Sequence, residues 1–257
     1  MRQPKGQNFL IDKEIAHKIV DAAQLDSSDN VIEIGPGRGA LTDYIARQAK
    51  TLTLIEIDEK LASNLSIKYK NHPNINVVSA DFLDFEIPGS LDKVKFIANL
   101  PYCAATKIIE KVIPYTNWNK AIFMVQKEVG KRIVSEKDRK TYGFFSVFCQ
   151  YYVNCKIILT CPPSAFFPKP QVDSVVLELT NKYPPVPDES LFKLVKHAFA
   201  QKRKTILNSL TNSIGCEKPL VAEVLEKAGI DPSLRPENLS LDSFINLTLI
   251  AKKCNII

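Results

Sequence analysis

The chain has 257 residues, of which 45% are hydrophobic and 24% are charged, as is ordinary for a globular protein. It contains no apolar run long enough to span a bilayer, which excludes an integral membrane protein built on helices. The formal net charge of +6 favours a nucleic-acid partner only mildly, since many basic proteins bind no polyanion. The N-terminus lacks the apolar core of a secretory signal, so we expect a cytoplasmic protein.

Short apolar runs recur along the first 182 residues and predict β-strands. They lie at residues 30–34, 51–57, 75–78, 94–98 and 121–125, with helical patterns at 40–49 and 59–70 between them. Strands that alternate with helices predict βαβ units and a parallel sheet that is buried on both faces. Two further runs, 156–160 and 174–180, flank a proline-rich loop and predict an antiparallel pair at the edge of the sheet.

A proline-rich segment, Tyr183-Pro184-Pro185-Val186-Pro187, predicts a stiff linker. After it, apolar residues recur with helical spacing and no strand pattern is present. The predicted helices lie at residues 191–199, 219–228 and 241–251. The sequence therefore predicts an α/β domain over residues 1–182 and a small all-helical domain over residues 183–257.

The first predicted strand runs into a glycine-rich turn, Gly35-Pro36-Gly37-Arg38-Gly39-Ala40. Glycines at the carboxyl end of a strand let the backbone turn sharply and approach a ligand closely. Acids follow at the next two strand tips, where Glu56 can accept from ribose hydroxyls and Asp81 from the amino group of a cofactor adenine. Each acid alone is more typical of a solvated loop or helix cap, but glycine, Glu and Asp at three successive strand tips are a more specific arrangement. The glycine spacing also fits the dinucleotide pattern, so an NAD-dependent oxidoreductase remains an alternative to an S-adenosylmethionine-dependent enzyme.

The fourth strand ends in Asn99-Leu100-Pro101-Tyr102, which resembles the N-P-P-Y-type motif of methyltransferases that act on adenine or cytosine amines. The adenine amine is a poor nucleophile because its lone pair is delocalised into the ring. The Asn99 side-chain oxygen and a backbone carbonyl near Pro101 can accept hydrogen bonds from its two N–H groups, while Tyr102 stacks on the base. Phe166 is a second candidate for stacking. The alternatives are an ordinary Pro-Tyr turn and a phenylalanine packed in the core.

Together these segments resemble the ribosomal RNA adenine dimethyltransferase family along nearly the whole chain. The resemblance begins at Gly6-Gln7-Asn8-Phe9-Leu10 and ends in Phe166-x-Pro168-x-Pro170-x-Val172-x-Ser174. It implies a Rossmann-like, S-adenosylmethionine-dependent catalytic sheet, followed by a small C-terminal helical domain that binds RNA or the ribosome. The implied cofactor contacts are Asn8, Leu10, Gly35, Gly37, Glu56, Asp81 and Asn99. The implied catalytic residues are Asn99, Leu100, Pro101, Tyr102 and Phe166.

Within that family the chain looks like the branch that dimethylates two adjacent adenosines near the 3′ end of small-subunit (16S) ribosomal RNA. The segments Gln201–Leu210 and Arg235–Ser240 both resemble this branch, although Pro236 stands where alanine is common. The competing branch dimethylates a large-subunit (23S) adenosine and usually has Asn-Ile-Pro-Tyr in place of Asn-Leu-Pro-Tyr. The resemblance implies an assembling 30S-type particle as the partner.

Two clusters of basic residues are candidates for RNA contact, and for each the alternative is a solvated helix face. One is Lys202-Arg203-Lys204 in the helical domain, and the other lies within residues 127–140. A non-catalytic RNA-binding or assembly factor on the same fold is the third class of function, which the intact Asn99–Tyr102 motif disfavours.

Six cysteines are present, but none forms a C-x-x-C pair and no histidine lies at zinc-finger spacing from them. We therefore expect free thiols in a reducing compartment and no metal site. No pattern points to an obligate oligomer, so a monomer is expected.

Overall fold

The computed structural model describes residues 8–89, 93–183 and 189–257, so Gly6, Gln7 and the prolines of the predicted linker lie outside the described residues. The strands are β1 (Phe9–Leu10), β2 (Asn30–Ile34), β3 (Thr51–Glu56), β4 (Ile75–Ser79), β5 (Val94–Asn99), β6 (Trp118–Gln126), β7 (Val153–Cys161), β8 (Phe166–Phe167) and β9 (Ser174–Asn181). The helices are α1 (Lys13–Ala22), α2 (Thr42–Ile45), α3 (Glu59–Lys68), α4 (Ala105–Val112), α5 (Lys127–Ile133), α6 (Phe144–Tyr152), α7 (Glu189–Phe199), α8 (Ile206–Leu210), α9 (Lys218–Lys227) and α10 (Leu241–Lys253).

The chain divides into two units that alternate along the sequence. The first unit comprises Met1–Gly130 and Val153–Asn181, and the second comprises Lys131–Tyr152 and Lys182–Ile257. The sequence predicted one boundary at residue 182, whereas the second unit also takes in the segment that contains α6. Because α6 has the sequence FFSVFCQYY and is apolar on nearly every side, it has little helical periodicity from which to predict it.

The first unit is built on a seven-stranded sheet with the order β4-β3-β2-β5-β6-β9-β7. Strands β2 to β6 pair in parallel, and β9 pairs antiparallel with both β6 and β7. The prediction of a parallel sheet completed by an antiparallel pair is therefore confirmed. The strand order reverses at β2, because β3 and β4 extend to one side and β5 and β6 to the other. Ligands bind at such a switch point, outside the carboxyl ends of the strands.

The apolar strands form the core of this unit, with Ile32, Phe96 and Ile122 almost fully buried. Helix α1 is capped at its N-terminus by Asp12, whose carboxylate accepts hydrogen bonds from two backbone amides of the first turn. The helix predicted over residues 40–49 is shorter in the structure and covers only α2. Turns of the i→i+3 type flank it, with Tyr44 N donating to Leu41 O and Gln48 N to Ile45 O.

The second unit is helical, as predicted, and has a core of its own. Leu194, Leu225 and Phe244 are among its buried residues. Rings from α6 also pack against Phe192 of α7, with centroid distances of 5.2 Å from Phe148 and 5.7 Å from Tyr152. A π-helical turn, Thr211–Gly215, follows α8.

Within the described ranges, no helix has the length and apolarity needed to cross a membrane. The same residues include no group of three or more His, Cys, Asp or Glu side chains placed to hold a metal ion. All six cysteines are free thiols, as expected.

Candidate functional site

The glycine-rich turn after β2 has a left-handed backbone, with φ of +64° at Gly35 and +58° at Gly37. A Cβ added at Gly35 would meet no atom within 4 Å, because this residue faces the open cavity that it lines. A Cβ added at Gly37 would lie 3.1 Å from the Phe9 ring. A side chain at position 35 would thus fill the cavity, and one at position 37 would displace Phe9.

Glu56 ends β3 beside this turn, and its side chain is only 2% exposed. Its Oε2 accepts a hydrogen bond from Gly37 N at 2.9 Å, and its Oε1 accepts one from Asp58 N at 3.1 Å. The carboxylate therefore fixes the position of the glycine turn relative to β3. Each carboxylate oxygen has two lone pairs, so both can also accept from the hydroxyls of a ligand.

A cavity opens at the carboxyl ends of β2, β3 and β5, as the switch point of the sheet requires. The predicted site residues that line it are Asn8, Leu10, Gly35, Gly37, Glu56, Asn99, Leu100, Pro101 and Tyr102. The structure thus brings the glycine turn, the β3 acid and the motif after β5 to one place.

Asn99 is held by the backbone of Asn8, because its Nδ2 donates to Asn8 O at 3.1 Å. The orientation of the amide follows from this bond. The nitrogen is committed to the protein, and Oδ1 is the atom that can accept a hydrogen bond from an incoming amine.

Tyr102 is anchored at its hydroxyl, which lies 2.8 Å from the Oγ of the fully buried Ser174. Burial raises the pKa of Tyr102 and outweighs the opposing effect of the bond to Ser174, so the hydroxyl is neutral at physiological pH. Ser174 is the last residue of the Phe-x-Pro-x-Pro-x-Val-x-Ser segment. The segment Asn99–Tyr102 and the Phe-x-Pro-x-Pro-x-Val-x-Ser segment therefore meet at this hydrogen bond.

Phe166 is placed in the core of the first unit and is 3% exposed. It lies on β8 opposite Leu10, whereas its neighbour Phe167 pairs with Phe9 and is 59% exposed. Successive strand residues point to opposite faces, so only one of these two rings can reach a ligand. The burial favours the packing alternative for Phe166, and Phe167 is the ring that the sequence analysis did not single out.

Asp81 lies outside the set of residues that line the cavity. It comes two residues after Ser79, which pairs with Glu56, and its Oδ1 accepts from Leu83 N at 2.8 Å. Asp81 is therefore at the strand tip next to Glu56, on the side toward β4.

Glu33 is a cavity residue for which the sequence analysis assigned no role. The pKa of Glu33 is raised to about 8, chiefly by burial and also by the nearby Glu56, although a 2.7 Å hydrogen bond from Thr42 Oγ1 opposes the shift. The sequence feature that could have indicated this residue is a carboxylate between the apolar residues of strand β2.

The basic segment Lys202-Arg203-Lys204 lies in the turn between α7 and α8, and all three side chains are exposed. The segment is therefore not on a helix face, which was the alternative to RNA contact, because α7 ends at Phe199 and α8 begins at Ile206. Of the second basic cluster, Lys127 forms an ion pair with Asp173 at 2.8 Å.

The buried carboxylate of Glu56, beside a glycine turn that a ligand can approach closely, can accept hydrogen bonds from the two hydroxyls of a ribose. The oriented Oδ1 of Asn99 can accept a hydrogen bond from an amine. The nucleoside end of S-adenosylmethionine fits the first feature and the methyl acceptor fits the second. A nicotinamide cofactor would explain the glycine turn and Glu56 but leaves the segment Asn99–Tyr102 without a role.

Comparisons with known proteins agree with this geometry. A family model described as "Ribosomal RNA adenine dimethylase" matches residues 1–253. The chain is 40% identical over 266 residues to a Staphylococcus aureus protein named "Ribosomal RNA small subunit methyltransferase A", covering 96% of this chain and 89% of the relative. A crystal structure of a dimethyladenosine transferase from Plasmodium falciparum superposes with a TM-score of 0.86 and 26% identity, covering 96% of this chain and 98% of the other. The structure of the 23S rRNA methyltransferase ErmE superposes with a TM-score of 0.74 and 25% identity, covering 95% and 100%.

Proposed function

The chain belongs to the ribosomal RNA adenine dimethylase family, and from this premise we propose which reaction its site performs. The enzyme transfers methyl groups from S-adenosylmethionine to the N6 amines of two adjacent adenosines near the 3′ end of small-subunit (16S) ribosomal RNA. One observation carries the proposal: Asn99, with its amide oriented by Asn8, lines the same cavity as the buried carboxylate of Glu56. The name of the Staphylococcus aureus relative favours the small-subunit substrate over the 23S alternative.

The cofactor would be held by the residues around the cavity. We assign binding of the ribose hydroxyls to Glu56 and binding of the adenine amino group to Asp81. Gly35 and Gly37 would let the backbone approach the cofactor closely. Asn8 and Leu10 would close the cavity from the β1 side, since both line it. When bound, S-adenosylmethionine supplies an electrophilic methyl group on a sulfonium.

The protein contributes position and hydrogen-bond acceptors rather than a strong base. Asn99 Oδ1 accepts a hydrogen bond from one N–H of the adenine amine, and a backbone carbonyl near Pro101 accepts a hydrogen bond from the other. Both bonds strengthen as the nitrogen becomes tetrahedral and its lone pair turns toward the methyl group. Tyr102 stacks on the base, with its ring fixed through Ser174. Leu100 is 1% exposed and supports the segment from the core side.

The target adenine must leave its stack, and the RNA must be held while it does so. We assign that task to the second unit and its exposed turn Lys202-Arg203-Lys204, with an assembling 30S-type particle as the partner. The enzyme would act as a monomer in the cytoplasm, where such particles form.

The test uses small ribosomal subunits that lack dimethyladenosine, with 23S ribosomal RNA as the competing substrate. We expect methyl transfer from labelled S-adenosylmethionine to adjacent adenosines of the small subunit, and calorimetric binding of S-adenosylhomocysteine but not of NAD. Labelling of 23S ribosomal RNA alone would assign the chain to the other branch. Cofactor binding without any transfer would support an assembly factor, and preferential binding of NAD would contradict the proposal outright.

A further inference from the structure

Lys111 makes an unusual set of contacts near the candidate site. It lies in the last turn of α4, and its Nζ donates to three backbone oxygens: Phe82 O at 2.8 Å, Leu83 O at 2.7 Å and Phe85 O at 2.7 Å. An ammonium group has three N–H donors, so all of them point into one stretch of backbone. The side chain is thereby committed to the loop that follows β4.

The loop opens with a turn that begins at Asp81. The carbonyl of Asp81 accepts from Asp84 N and Phe85 N, both at 3.0 Å, and its carboxylate accepts from Leu83 N. Carbonyl oxygens at the end of such a turn concentrate negative partial charge, which an ammonium group stabilises. Lys111 therefore caps the turn from one side while Asp81 holds it from the other.

The turn is also fixed to the core by Phe82, which is 4% exposed and lies edge-on to Phe96 at 6.5 Å. Both backbone polar groups of Leu83 are engaged, since its N–H donates to Asp81 Oδ1 and its carbonyl accepts from Lys111 Nζ. Leu83 N engages Asp81 Oδ1, and no described residue donates a hydrogen bond to Oδ2, which leaves that oxygen available to an external donor. Its direction depends on the turn, and the turn depends on Lys111.

We propose that Lys111 is a positioning residue for recognition of the cofactor's adenine, acting through Asp81. This inference rests on the proposed function, because it assumes an adenosine cofactor. Helix α4 begins at Ala105, shortly after the segment Asn99–Tyr102. Helix α4 therefore starts close to the segment Asn99–Tyr102, and its last turn carries the lysine that contacts the turn after Asp81.

A lysine that only stabilises the fold would affect every ligand alike, so the test measures discrimination rather than affinity. The probes are S-adenosylhomocysteine and S-inosylhomocysteine, which has a carbonyl in place of the adenine 6-amino group. The variant is Lys111→Met, which retains the apolar stem and removes the donors. Lys107→Met is the matched control, because Lys107 is an exposed lysine one turn earlier on the same helix.

We expect the wild type and Lys107→Met to prefer S-adenosylhomocysteine by about tenfold or more, the usual effect of a hydrogen bond to a charged group. In Lys111→Met the preference should fall to about threefold or less. Asp81→Ala should lose the preference as well, and adding Lys111→Met to Asp81→Ala should reduce it no further. If Lys111→Met does not fold, Lys111→Arg replaces it. Arginine keeps the charge but presents a planar fork in place of one nitrogen, and it should also lower the preference.

If the Lys111 variants bind both ligands more weakly by the same factor, so that the preference is unchanged, the inference is overturned. Lys111 would then only stabilise the fold. A wild type that binds both ligands equally would overturn it too, while leaving the proposed function intact. A wild type that binds neither ligand would instead refute the proposed function.

Discussion

The cavity of the first unit and the basic turn of the second differ in how their side chains are held. Around the cavity, Asn99 and Glu56 are each directed by hydrogen bonds to backbone atoms. In the turn, Lys202-Arg203-Lys204 are exposed side chains. A site of the first kind acts through geometry and fails when one residue is lost. A surface of the second kind acts through summed charge, so each residue contributes a modest, salt-dependent share.

The largest effect is expected at Asn99. Asn99→Ala removes an acceptor that is needed as the amine becomes nucleophilic, so turnover should fall by about a hundredfold or more. Single-turnover methyl transfer measures it, and the exposed residue Asn71 supplies the control variant Asn71→Ala. Near-normal turnover in Asn99→Ala would contradict the view that the cavity, unlike the basic turn, fails when one residue is lost.

Glu56 comes next. Glu56→Ala should weaken binding of S-adenosylhomocysteine by about 1–3 kcal/mol, because it removes charge-assisted hydrogen bonds and releases the glycine turn. Calorimetry measures the change. Glu59→Ala, at an exposed acid three residues later, should bind as the wild type does. Unchanged affinity in Glu56→Ala would show that the buried carboxylate serves the fold alone.

Glu33 is a buried carboxyl group in the cavity, and its raised pKa should make the stability of the protein depend on pH. Its pKa is about 8 in the native protein, above the ordinary value of 4.5, so between these pH values the native state binds more protons than the unfolded chain. Wild-type stability should therefore decline as pH rises through this window. Glu33→Gln should lose that decline, which is at most about 1.4 kcal/mol per pH unit. Denaturant unfolding across the window measures it. Parallel pH profiles for the two proteins would contradict the prediction.

The smallest effect is expected in the second unit. Changing Lys202, Arg203 and Lys204 together to glutamine should reduce the salt dependence of binding to the small subunit by about one to two units of slope. Cofactor affinity should stay at the wild-type value and serves as the internal control. A wild-type slope in the triple variant would mean that the turn is an ordinary solvated surface.

The elements that the sequence predicted well are those with a repeating pattern. Strands β2 to β5 are short apolar runs between turns, and their tips carry the glycines and acids that define the site. Strands β1 and β8 have two residues each and hence no period, yet their pairing places Phe166 in the core and Phe167 at the surface. The contacts of Lys111 and Ser174 could not be predicted from the sequence either, because each residue binds a partner that is distant in the chain.

The alternation of the two units has a practical consequence for taking the molecule apart. A fragment that ends at residue 182 would contain α6 but not α7, and would leave the rings of Phe148 and Tyr152 without Phe192. Such a fragment would carry an uncovered aromatic surface and a tendency to aggregate. A single cut at residue 182 therefore does not separate the two units, and the second unit cannot be exchanged between relatives by a single crossover.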